Sequence, residues 1–154
     1  MDEEVTMTRR AWHRKQAVDL FNGTWDLIEK ADRTREETTL MVHMAHASRY
    51  HWNIVGEPVN FGRGEWQVSR VCALAGLTDA AIFHGENYLR IAQDSKLKPF
   101  DLGFAHEALA RAYSVAGDKD TARAHVEQAL EAAKGIEEAD EKKLLTDDLT
   151  TIAI

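Results

Sequence analysis

The sequence predicts an all-α chain of about seven antiparallel helices, and three observations carry the prediction. Only two prolines, Pro58 and Pro99, interrupt 154 residues. The periodic segments are built from Ala, Leu, Glu, Lys and Arg, the better helix formers, rather than from alternating β-branched residues. The third observation is self-similarity. Laying residues 58–93 on 99–134 without a gap matches 11 of 36 residues, among them Pro58/Pro99, Gly62/Gly103, Arg70/Arg111, Gly76/Gly117 and His84/His125, always 41 apart. The same step backwards pairs Gly23 with Gly64, Trp25 with Trp66 and His43 with His84. A fixed period of this length marks a stack of supersecondary units. The chain reads as one domain, 1–154, holding three units, 17–57, 58–98 and 99–139, of two helices each.

The helices follow in order. Unit one takes 11–31, placed by its match to unit two, and 35–54, which opens on Thr34 and Glu37 at capping-box spacing. Pro58 starts the helix 58–76, because a first-turn residue needs no backbone N–H. Gly76-Leu-Thr-Asp then supplies a left-handed stop and a side-chain cap for 78–94. Pro99 starts 99–117 in the same way, and Gly117-Asp-Lys-Asp separates it from 119–134. The last helix, 138–152, repeats Leu145, Leu149 and Ile152 at i, i+4, i+7 and should cap the final unit.

Composition narrows the function. With 44% hydrophobic and 29% charged residues the chain is an ordinary globular one, and a net charge of -7 sets it against phosphate backbones and anionic membranes. Nucleic-acid and membrane partners are therefore not expected. The single cysteine, Cys72, excludes an internal disulfide and a thiolate zinc site, and points to the cytoplasm. Met1 to Arg10 has no apolar run behind it, so no signal peptide is read there. Gly62-x-Gly64 lacks the strand and lysine of a phosphate loop and is better read as a place of close helix packing.

Residues 104–136, FAHEALARAYSVAGDKDTARAHVEQALEAAKGI, resemble a tetratricopeptide repeat. Leu109 and Tyr113 fall on that family's large first-helix positions, Gly117-Asp118 on its turn, and Ala122, Ala129 and Leu130 on its small and apolar second-helix positions. Unit two keeps Gly76, Ala81 and Leu89, but has Cys72 for the tyrosine and Gly85 and Tyr88 at two further positions. The resemblance implies a short right-handed solenoid of helical hairpins, with a concave face lined by the first helix of each unit, and a protein or peptide partner.

That face supplies the candidate site. Arg70 and Arg111 share one repeat position, and helical spacing adds Arg63, Trp66 and Gln67 in unit two, Phe104 and Glu107 in unit three, and Asn22, Trp25 and Glu29 in unit one. Guanidinium forks between aromatic plates suit an extended segment, above all an acidic one, so Arg63, Trp66, Arg70, Phe104 and Arg111 are the expected peptide-binding residues. The competing reading pairs the arginines with acids between units and buries the tryptophans. No catalytic set and no cofactor can be nominated. His43 and His46, at i, i+3 on one helix, are the alternative: a metal pair that a carboxylate could complete. A third alternative is a self-assembling oligomer that uses its solenoid faces and the apolar end 151–154.

Overall fold

The computed structural model describes residues 4–154; Met1 to Glu3 of the N-terminal segment lie outside the described residues. Seven helices and no strand are found among them: α1 (Arg9–Glu29), α2 (Arg35–Val55), α3 (Pro58–Leu74), α4 (Thr78–Asp94), α5 (Pro99–Ala116), α6 (Lys119–Ala133) and α7 (Ala139–Thr150). Helix termini are set by local chemistry. Thr8 caps α1 by accepting from the Ala11 N–H at 3.1 Å, and the helix begins at Arg9, two residues before the expected start. At the other end Arg33 Nη1 donates to the carbonyls of Leu27, Ile28 and Lys30, which stops α1 at Glu29 rather than at 31. Thr34 and Glu37 form the expected reciprocal box, at 3.1 and 3.0 Å.

Gly76 and Gly117 have φ of 76° and 88°, the left-handed region where a Cβ is penalised. After α3 the Leu77 N–H reaches the Cys72 carbonyl and the Gly76 N–H that of Ala73, the paired bonds of a Schellman stop. Asp118 then caps α6 through the Thr121 N–H, as expected. Before α4, by contrast, Leu77 occupies the cap and no side chain serves. The turn after α4 ends on the same pair of bonds, but with Lys96 at φ 50° in the glycine's place.

Every helix packs on the next in sequence, and α1 meets α3, α3 meets α5 and α5 meets α7, whereas the backbones of α2, α4 and α6 stay apart and α2 reaches α4 through side chains such as His46 and His84. Close approach relies on missing side chains. A Cβ on Gly62 would lie 2.7 Å from the Tyr88 ring, and one on Gly103 2.5 Å from Leu145 Cδ2. The first of these gives Gly62 the packing role expected of it. Leu145, Leu149 and Ile152 are buried against the last hairpin, as the spacing of the tail predicts.

The 41-residue step holds between units two and three, where Ala81, Tyr88 and Ala92 are buried as are Ala122, Ala129 and Ala133. In unit one the buried series is Met41, Ala45, Ser48 and Trp52, with the spacing of Ala81, Gly85, Tyr88 and Ala92 but only 40 residues earlier. His84 stands three residues after Ala81, and three after Met41 comes Met44. His43 therefore does not share the position of His84 and His125; it is exposed. The connection 30–34, longer than 75–77, absorbs the slip.

A candidate binding cleft

The inner edges of α1, α3 and α5, closed at one side by α7, leave a cleft of about 500 Å³. Phe21 and Trp25 of α1, Trp66 of α3 and Phe100 and Phe104 of α5 form its aromatic lining, with Leu144 at the α7 edge. Four of these rings are in mutual contact: Trp25 to Trp66 at 5.4 Å between centroids, Trp66 to Phe104 at 5.9 Å and edge-on, Phe104 to Phe100 at 4.8 Å. Such offset and edge-on pairs are favoured and hold the rings as a rigid wall. Tyr88, Arg63, Glu29 and Asp148 complete the lining.

Of the five expected site residues, Arg63, Trp66 and Phe104 line this cleft, and Arg70 and Arg111 stand behind it. Both of the latter converge on Glu107, which is fully buried: Arg70 Nη1 donates to Oε1 at 3.2 Å, and Arg111 Nε and Nη2 donate to the same oxygen at 2.9 and 2.7 Å. The second oxygen accepts the Trp66 indole N–H at 2.8 Å. Arg111 also donates to the Asp148 carbonyl and the Thr151 hydroxyl, tying α7 down. Burial and the nearby Arg111 push the Arg70 pKa below its ordinary value, against the pull of Glu107 and Asp148. The strip of available positive charge expected from these two arginines is thus consumed inside the protein, because helical spacing put Glu107 within their reach. Trp66 is both wall and core, with one edge on Glu107 and the ring bordering the cleft.

Arg63 is half-exposed and grips buried Asp101 with Nε at 3.0 Å and Nη2 at 3.4 Å, while its guanidinium lies over Phe100 at 5.2 Å. Burial lowers its pKa, and Asp101 more than offsets this. Tyr88 donates its hydroxyl to the same carboxylate at 2.7 Å, and burial followed by that charge raises its pKa. The Asp148 carboxylate meets Arg70 only at 3.9 Å, beyond hydrogen-bond reach. Burial and then Glu107 raise its pKa.

Phe100, Leu144 and Asp148 were not singled out from the sequence, although spacing marks them: Phe100 precedes Phe104 by one turn, as Leu144 precedes Asp148. Trp25 and Glu29, which helical counting did select, line the cleft. Trp25, Trp66, Glu107 and Asp148 also follow one another at steps of 41 residues, and they form a column in which Trp25 packs on Trp66, Trp66 bonds to Glu107, and Asp148 lies close enough to Glu107 to feel its charge.

The histidines lie elsewhere. His43 and His46 are exposed on α2, and the His46 ring packs edge-on to His84 at 5.3 Å. The part of the ring that this contact shields from water, then the charge of His84, lowers the His46 pKa. No group of three His, Cys, Asp or Glu side chains is placed to hold a metal among the described residues. Each pair of helices is instead joined by a histidine hydrogen bond: His13 Nδ1 to His51 Nδ1 at 2.9 Å, His84 Nδ1 to Glu65 Oε2 at 2.5 Å, and His106 Nδ1 to His125 Nδ1 at 3.0 Å. Cys72 is buried and its thiol is pushed up to about 11 by burial. No helix is long and apolar enough to cross a membrane among the described residues.

Comparison with protein-family models, with curated proteins and with solved structures finds no match.

Proposed function

We propose that the protein is a non-catalytic interaction module, a cytoplasmic, tetratricopeptide-like right-handed solenoid that holds a protein or peptide segment in the cleft between its first helices. The observation that carries this reading is the aromatic wall itself, four rings from three helices bordering an open cleft of about 500 Å³. Apolar concave sites with a few placed polar groups are the usual form of a binding site, and aromatic side chains supply large contact area at little entropic cost. The succession of first-helix contacts, with the backbones of the second helices farther apart, supports a curved stack with the cleft on its inner side.

A photo-crosslinking residue in place of Leu144, at the cleft edge, tests the proposal beside the same residue in place of Glu127 on the outer face of α6. Capture of one defined partner segment from position 144, absent from position 127 and lost on Trp25→Ala, is the expected result. The same products from both positions would overturn it.

A further inference from the structure

The cleft has aromatic faces and carboxylates, and the arginines in it and behind it already have carboxylate partners. Arg63 is held by Asp101 and Arg70 by Glu107. Each also lies over a ring, Arg63 over Phe100 at 5.2 Å and Arg70 over Trp66 at 5.8 Å, so the protein itself uses these rings to receive guanidinium. On the anionic side Glu29 is exposed at one edge, and the Asp148 carboxylate faces the same space with Arg70 no closer than 3.9 Å. A carboxylate or phosphate entering here would meet two acids, and Arg63, the cation that lines the cleft, is half-exposed but already has its charge balanced by Asp101. A cation would meet π-faces and two carboxylates, within a protein whose net charge of -7 draws it in.

We infer that the anchor of the bound segment is a cation on an apolar stem, a lysine or arginine side chain, seated against Trp25, Trp66 and Phe104 with its charge toward Asp148 and Glu29. This rests on the cleft being the binding site, as proposed above, and reverses the acidic preference expected from Arg70 and Arg111. The aliphatic stem of either side chain matches the apolar wall, and the charged head reaches the rim where the carboxylates lie.

Three fragments that share a benzyl group separate the two readings: benzyltrimethylammonium, benzyl alcohol and phenylacetate, titrated into the full chain while the indole N–H signals of Trp25 and Trp66 are followed by NMR. The cation should bind at least about tenfold more tightly than phenylacetate, and both Asp148→Asn and Glu29→Gln should shrink that ratio to about threefold. Glu29 is exposed, so its variant serves even if Asp148→Asn loosens α7. Equal affinities for the three fragments, or a preference for phenylacetate, would overturn the cationic anchor and leave the cleft as the binding site. Silence of both indoles toward every fragment would overturn both readings. A free protein that sediments as a dimer, with these indole signals dispersing on dilution, would also overturn the inference by making a second copy the occupant.

Discussion

Trp66 donates its indole N–H to Glu107, the residue that occupies the same place one repeat later. The bond joins α3 to α5, and Arg70 and Arg111, themselves one repeat apart, close on the same carboxylate from either helix. A buried carboxylate with four donors is satisfied as a unit, and removing any member exposes the others to desolvation without compensation.

Glu107→Gln should therefore destabilise the fold by about 3–5 kcal/mol, since it leaves two arginines near a neutral amide, whereas Trp66→Phe, which deletes one donor, should cost about 1–3 kcal/mol. Urea unfolding of both variants gives the comparison. A smaller loss for Glu107→Gln than for Trp66→Phe would show that the arginines find solvent when released.

Gly62→Ala should cost about 1–3 kcal/mol, because its Cβ would lie 2.7 Å from a Tyr88 ring already anchored to Asp101. Thermal unfolding measures this. An unchanged midpoint would mean that α3 and α4 separate without penalty.

Lys96→Gly should act in the opposite direction. Lys96 holds φ 50° at the end of α4, where unit two and unit three use glycine in their hairpin turns. Relief of the left-handed strain, less the entropy that glycine loses on folding, should stabilise by roughly 0.5–1 kcal/mol. A loss of stability would show that the lysine stem contributes more than the strain costs.

Acid should weaken the last hairpin. Burial, and then the adjacent His125, lowers the His106 pKa to about 4, below its unfolded value near 6.5. The native state therefore binds fewer protons than the unfolded chain between these values, and stability is fully present above pH ~6.5 and declines toward pH ~4, by about 2–3 kcal/mol. Denaturation across this range should show the slope, and His106→Phe should reduce it to the part that His125 contributes, since burial lowers that histidine's pKa as well. A wild-type profile without slope would place the proton elsewhere.

Sequence reasoning found the helices because their ends are local. Proline at Pro58 and Pro99, the Thr34–Glu37 box and the two left-handed glycines act within a few residues, and each is where the structure has it. The phase of α2 was not legible: the His43/His84 identity suggested a 41-residue step, and only packing shows that the buried face is set 40 residues back. The cleft was half legible. Helical spacing placed Arg63, Trp66 and Phe104 on one face, but a face does not say which charges meet across it. Arg70 and Glu107 are 37 residues apart, and the competition between exposure and pairing is settled by the distance between α3 and α5. Asp148 was hidden in a run of mixed charge that looks like a solvated surface.

The column of Trp25, Trp66, Glu107 and Asp148 does not by itself give the cleft a polarity. Two indoles are followed by Glu107, sealed behind the wall, and by Asp148 on α7, while Glu29 adds a carboxylate to the cleft one turn beyond Trp25 on α1. A segment with its apolar side chains on the indoles and a single cation would then meet a carboxylate whichever way it lay, so the charge anchors the segment and the order of its apolar side chains along the rings has to set its direction.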